Sequence, residues 1–237
     1  MGIVFAGSSS AYLGSGNGDP FTGTITPSDF SGSASAGDLL ILTAGGRYNT
    51  ASGQSITVPA GWTSCGTLDQ EDTPGGTTRQ HLEVWAKIAD ASDISSGVDV
   101  TFSLGYGTSF TRSRAAVMHT YTGAVGVNIV AGPVTDGIAD PVSPPESFTF
   151  PDPNPSGVTT VFAAGMARFT GGIIDDTEGF SQRSNLSPQG NYSLLFLDAA
   201  EVSGAVDMPS SLATAAIGAI CFALRDHRSL GWKVGTL

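Results

Sequence analysis

The stretch Gly37-Asp-Leu-Leu-Ile-Leu-Thr-Ala-Gly45 decides the fold that this sequence predicts. Turn residues lead into an apolar run, Leu39 to Thr43, which fits a strand buried on both faces or a central strand under crossing loops. A stretch of equal length and similar pattern recurs as Gly157-Val-Thr-Thr-Val-Phe-Ala-Ala-Gly165. We therefore expect a β-protein whose second half is built like its first.

Further segments of the first half also recur in the same order in the second half. The matched pairs are Val58–Trp62 with Thr177–Phe180, His81–Asp90 with Tyr192–Glu201, and Ala115–Gly123 with Gly218–Arg225. This alignment puts Trp62 and Phe180 in equivalent positions, and likewise Trp85 and Phe196. Equivalent placement predicts a shared packing role in the core for these aromatic side chains.

The remaining patterns also favour strands. Val98, Val100 and Phe102 alternate with polar residues, which is typical of a half-buried strand. The alanine-rich run from Leu212 to Leu224 would also suit a helix, but its glycine, its β-branched residues and its match to the first half decide for a strand.

These patterns predict an all-β fold, a single antiparallel β-sandwich of jelly-roll type built from two similar halves that both contribute to both sheets. The sandwich spans residues 1–225, with half-repeats at about 36–125 and 156–225 and a proline-rich connector at 132–156. Within the connector, Ser147–Phe150 reads as a short edge strand. Residues 226–237 form a C-terminal arm.

Composition excludes several classes of partner. The chain has 237 residues and a formal net charge of −11, with only 10 Lys and Arg. Phosphate binding requires clustered cations, so we expect no nucleic-acid partner. No stretch approaches the roughly 18 apolar residues of a membrane span, and we expect no membrane insertion. The first residues lack a basic region and an apolar run, so no signal peptide is expected.

Residues with chemical potential are scattered. His81, His119 and His227 share no motif, and packing or surface roles are expected for His81 and His119. Glu83 and Asp198 lie in corresponding strands, which favours the outer sheet face over a catalytic pair. We predict no catalytic residue, metal site or cofactor, and therefore a protein that is not an enzyme.

The two cysteines are far apart in the chain, at positions 65 and 221. Cys221 lies in an apolar run and is expected to be a small buried core residue. Whether Cys65 and Cys221 pair is left open, since the sequence contains no disulfide framework.

Contact residues are predicted at loops. Tyr48 and Tyr106 lie in or beside loops, as does Tyr192, and Arg47 and Arg168 follow strands at equivalent positions. We predict ligand contacts at Arg47, Tyr48, Tyr106 and Arg168. In the C-terminal arm, Arg228, Trp232 and Lys233 are predicted to dock a neighbouring subunit; an ordinary ordered terminus is the alternative.

Four motifs carry a resemblance to a known group: Gly37-Asp-Leu-Leu40, Pro59-Ala-Gly-Trp62, Val84-Trp-Ala-Lys-Ile-Ala89 and His119-Thr-Tyr-Thr-Gly123. Together they resemble virion structural proteins of tailed bacteriophages and prophages, of the minor tail, fibre or decoration type. The resemblance extends to Ile220-Cys-Phe-Ala-Leu-Arg225 and covers about residues 36–225. The second-half turn departs from it, with no proline and with Phe180 in place of the tryptophan.

The resemblance implies a virion protein, assembled in the bacterial host cytoplasm and placed at the distal tail, in a fibre or at the baseplate periphery. It would contribute to host attachment through loops at one end of the sandwich. The implied partners are other virion proteins, copies of itself (a trimer if it belongs to a fibre) and a glycan or protein of the host surface. The alternatives are a capsid decoration protein and a glycan-processing enzyme on the same scaffold.

Overall fold

The computed structural model describes residues 3–12, 20–26, 34–49, 55–71, 76–103, 113–124, 126–127, 129–138, 146–149, 158–167, 180–186, 192–200, 205–208 and 216–225. Most of them lie in strands, and one short helix is also among them. In chain order the elements are β1 (Val4–Tyr12), β2 (Phe21–Ile25), β3 (Leu39–Asn49), β4 (Ser55–Thr57), β5 (Thr63–Glu71), β6 (Thr78–Ile88), α1 (Ala91–Ser96), β7 (Val98–Ser103), β8 (Ser113–Thr122), β9 (Ile129–Ile138), β10 (Glu146–Thr149), β11 (Val158–Ala167), β12 (Ser181–Leu186), β13 (Tyr192–Ala200), β14 (Ala205–Met208) and β15 (Ala216–Arg225).

The strands form four antiparallel sheets. Sheet A has the order β1-β8-β3-β6-β5, sheet B has β2-β7-β4, sheet C has β12-β13-β11-β15-β9, and sheet D has β10-β14. The pairs β1 with β8, β2 with β7 and β3 with β6 are nested, as in one long hairpin curled on itself. That nesting is the pairing expected of a jelly roll. The predicted all-β, jelly-roll-like sandwich is confirmed.

Sheet A lies between sheets B and C. On β3, Leu39 and Ile41 pack in a cluster shared with sheet C. Their neighbours Leu40 and Leu42 pack in a second cluster shared with sheet B. Successive strand residues point to opposite faces, so a central strand covered on both sides must be apolar throughout. The continuous run that predicted a strand buried on both faces is confirmed.

The described strands of each large sheet come from one part of the chain. Sheet A draws on residues 4–122 and sheet C on residues 129–225. The expectation that both halves contribute to both sheets is wrong for these two sheets. Pairing strands that are close in sequence closes shorter loops, which costs less conformational entropy. The strand expected at Ser147–Phe150 is confirmed as β10; it and most of β9 lie within the expected connector.

Two local predictions differ from the structure. Strand β3 runs past Gly45-Gly46 to Asn49, well beyond the apolar run Leu39 to Thr43 that predicted it. Position 45 within this strand is occupied by glycine because a side chain there would meet the hydroxyl of Tyr192. Helix α1 was not predicted; it forms because Asp90 caps it and Asp93 completes a capping box. The last apolar run is strand β15 and not a helix.

Candidate functional site

A charged network lies where β3, β5 and β6 meet, and Asp69 is its centre. The Tyr48 hydroxyl donates to Asp69 Oδ2. Arg79 Nε donates to Asp69 Oδ1 at 2.5 Å. The Asp69 side chain is only 21% exposed. Burial alone would raise its pKa, but the hydrogen bonds from His81, Tyr48 and Arg79 outweigh burial and hold the pKa at about 2.

His81 is held between two carboxylates. Its Nδ1 lies 3.2 Å from Asp69 Oδ2, and its Nε2 lies 2.6 Å from Glu83 Oε1. Burial lowers the pKa of His81, but the hydrogen bonds to Asp69 and Glu83 outweigh burial and raise it to about 9. The ring is therefore an imidazolium at neutral pH and donates from both nitrogens. Glu83 also accepts from the Ile56 backbone N–H at 3.4 Å, which ties sheet B to the network.

Strand register explains why these groups meet. Arg79, His81 and Glu83 alternate along β6 and so share one face of sheet A. On the neighbouring strand, Glu71 stands opposite Arg79 and Asp69 opposite His81. Opposite charges directly across an antiparallel pair stabilise it. We did not predict this network from the sequence. The available signal was the alternation of Arg79 with His81 on one segment and of Asp69 with Glu71 on another.

The chemistry of this network is that of a fixed support. The imidazolium has no lone pair to act as a base, and Asp69 and Glu83 each already accept from at least two donors. A salt-bridged network of this kind holds the ends of β3, β5 and β6 together and binds them to β4. Among the described residues, no group of three or more His, Cys, Asp or Glu is arranged to hold a metal ion.

A second polar cluster lies between sheets A and C. Asp198 on β13 accepts from the Tyr121 hydroxyl at 2.6 Å and from Arg183 Nε at 2.7 Å. Asp198 is 3% exposed, and the Arg183 guanidinium also stacks over the Phe5 ring at 4.4 Å. A buried carboxylate with a charged donor and a hydroxyl donor locks the two sheets in one relative position.

His119 and Ser184 form a contact that resembles half of a catalytic triad. His119 Nε2 lies 2.9 Å from Ser184 Oγ, and its ring stacks on Phe196 with centroids 3.7 Å apart. Burial, together with the nearby Arg183 charge, lowers the pKa of His119 to about 3. A base this weak takes a serine proton poorly at neutral pH. Asp198 binds Tyr121 and Arg183 instead of the ring, so the contact is a packing interaction, as predicted for this histidine.

The predicted contact residues have separate outcomes. Tyr48 is fully buried with its hydroxyl on Asp69, so the prediction of a surface contact is wrong for it. Tyr192, also predicted beside a loop, is fully buried between the two large sheets. Arg47 is half-buried near the end of β3. The other predicted residues lie outside the described part of the chain, namely Tyr106, Arg168, Arg228, Trp232, Lys233 and His227.

Burial corrects two further expectations. Glu83 and Asp198 were expected on the outer sheet face, but both lie between sheets. Each carboxylate accepts hydrogen bonds from buried donors there, which offset the cost of its burial. Trp85 and Phe196 are both core residues, as predicted. They are not equivalent, since Trp85 packs towards sheet B and Phe196 lies between sheets A and C. A register error of one residue reverses the face of a strand.

The cysteines are both buried, and no disulfide joins them. Cys221 is a core residue, as expected, and Cys65 packs between sheets A and C. Burial raises the pKa of the Cys65 thiol to about 12, which makes it unreactive at neutral pH.

No protein-family model, curated protein or solved structure matches this chain. In the described part of the chain, helices of the length and apolarity needed to cross a membrane are absent.

Proposed function

We propose that this chain is a structural protein of a bacteriophage virion, located at the distal tail and contributing to host attachment by binding rather than by catalysis. The resemblance described above suggests the class of particle. The structure supports a scaffold role, because sheet A is covered on both faces and the polar networks join neighbouring strands and sheets. Such a body resists deformation when it bears load at its ends.

The observation that carries the proposal is the convergence of strand ends. A side chain at Gly45 on β3 or at Gly165 on β11 would meet the same Tyr192 hydroxyl, so these two strands end near one another. Arg47 lies two residues beyond Gly45, and Arg168 directly follows β11. Strand β8 begins opposite Arg47, at Ser113. Strand β8 therefore begins at this same end, and Tyr106 precedes it in the sequence by seven residues.

Residues at one end of a rigid body can contact one target together, and repeated copies in a particle raise avidity without new contacts. We propose Arg47, Tyr106 and Arg168, the contacts predicted from the sequence, as the residues of such a binding end. The opposite end, where β15 finishes at Arg225, is then available to attach to other virion proteins.

Gold-labelled antibodies on purified particles, with copy number from quantitative mass spectrometry, test the location. We expect label at the tail tip and few copies per particle. Label over the head at high copy number would instead establish a decoration protein that clamps capsid subunits. Absence from particles would reject both.

Competition tests the attachment role. The purified protein should slow adsorption of particles to host cells, and Arg168→Ala should weaken that effect several-fold. Arg225→Ala, at the opposite end, is the matched control and should compete like the unmodified protein. Equal loss in both variants would contradict a binding end. Turnover of host polysaccharide by the protein would reject the non-catalytic role.

A further inference from the structure

The contacts between sheets A and C occur in matched pairs. Read from β9, sheet C has the order β9-β15-β11-β13-β12, so its strands correspond in turn to β1, β8, β3, β6 and β5 of sheet A. Strand β1 contacts β12 and β5 contacts β9; β8 contacts β13 and β6 contacts β15; β3 contacts β13 and β11 contacts β6. Each contact has a partner with the two sheets exchanged. Two five-stranded sheets stacked strand over strand give this pattern, and it is the pattern that a local two-fold axis between them requires.

The axis passes between β3 and β11, which also contact each other. Gly45 stands opposite Leu82 and Ala115 in sheet A. Gly165 stands opposite Leu194 and Gly218 in sheet C. The hydroxyl of Tyr192 lies 2.1 Å from where a Cβ at Gly45 would be, and 2.2 Å from that of Gly165. One hydroxyl thus lies between two equivalent glycines, on the axis.

The residue equivalent to Tyr192 is Gln80. Tyr192 stands opposite Ala167, two residues beyond Gly165, and Gln80 stands opposite Arg47, two residues beyond Gly45. Gln80 is fully buried, and neither its amide nitrogen nor its amide oxygen has a hydrogen-bond partner. Tyr192 fills the space on the axis and donates to the His81 carbonyl at 3.3 Å. The axis has room for one large side chain, which is Tyr192. Gln80, the equivalent residue in the other sheet, is left without a polar partner.

We infer that the inner faces of sheets A and C are two copies of one two-fold docking surface, and that the difference between Tyr192 and Gln80 makes each face select the other half of the same chain. Two A faces from separate molecules would bury two unpartnered glutamine amides around an empty space. Two C faces would bring two tyrosine hydroxyls to one position. Both self-pairings are disfavoured, so specificity comes from rejecting the like surface. This inference does not depend on the proposed function.

Exchanging the two side chains in the full-length chain tests the inference. Tyr192→Gln leaves the axis unfilled, and Gln80→Tyr brings two tyrosines to it. We expect each to lower the midpoint of thermal unfolding by about 5–10 °C. The double variant Gln80→Tyr/Tyr192→Gln moves the tyrosine to the equivalent site and should recover at least half of the summed loss. A double variant that loses the full sum would overturn the inference.

A matched control separates symmetry from simple filling of space. Gln70 stands opposite Gln80 on β5, off the axis. Gln70→Tyr/Tyr192→Gln should therefore recover nothing, and recovery there would also overturn the inference. If Tyr192→Gln does not fold, Tyr192→Leu is used in every comparison.

Discussion

Removing the proton that His81 holds between Asp69 and Glu83 should cost the fold about 3 kcal/mol, because the pKa rises from 6.5 to about 9. The group has a higher pKa in the folded chain than in the unfolded chain. Its contribution to the stability of the fold is therefore fully present below pH 6.5 and is lost as the pH rises through 9. The His81 side chain is only 6% exposed, so solvent screens these contacts weakly.

The groups that face His81 determine how this loss is measured. They are Asp69, Glu83 and, through Asp69, Arg79 and Tyr48. Burial raises the pKa of Tyr48 above its ordinary value, so its phenol keeps its proton between pH 6 and 10. His81→Gln removes the titrating ring and leaves the rest of the network in place.

The assay is urea unfolding of the unmodified chain and of His81→Gln at pH 6, 7.5, 9 and 10. At each pH, the free energy of unfolding of the variant is subtracted from that of the unmodified chain. Titrations common to both chains cancel in that difference. We expect it to shrink by about 3 kcal/mol between pH 6 and 10. His119→Gln is the control: His119 is neutral in the folded chain across this window and is protonated only in the unfolded chain near pH 6, so its difference should rise slightly above pH 6 and never shrink. A constant difference for His81→Gln would refute the reasoning.

Three further predictions concern packing and titration. Gly165→Ala should lower the thermal midpoint by several degrees in calorimetry, because its methyl group would overlap the tyrosine hydroxyl on the axis; Gly126→Ala, which meets nothing within 4 Å, should not. Neutral His119 should stabilise the fold above pH 6.5, and this stabilisation should fall as the pH drops towards 3. In His119→Phe the free energy of unfolding should therefore fall less steeply with decreasing pH than in the unmodified chain, and equal slopes would contradict this. Thiol titration should find Cys65 and the other cysteine unreactive in the folded chain and both reactive in urea, and fast labelling without urea would show that the core opens.

Much of the secondary structure was predictable because it depends on neighbouring residues. The alternation at Val98–Phe102 and the apolar run at Leu39–Thr43 identify their strands and the faces that they bury. Helix α1 had a readable cap in Asp90 and Asp93, yet six residues with no apolar stripe give a weak helical signal.

The candidate site was less predictable because its partners are distant in sequence. Asp69 and His81 are 12 residues apart, and the hydroxyl of Tyr192 reaches the His81 carbonyl across 111 residues. Only strand register brings such groups together, and an alignment error of one residue was enough to match Phe196 with Trp85, which faces the opposite side of its sheet.

The sequence by itself determined that this chain forms strands, that its two parts resemble each other in pattern, and that its central strand is buried on both sides. Hydrophobic period and turn residues are local properties, and they act before the chain folds. The tertiary structure decided which carboxylates hold His81, why Tyr48 is not a surface residue, and which single side chain occupies the space between Gly45 and Gly165. Those outcomes depend on burial and charge contributed by other strands, which no local pattern contains.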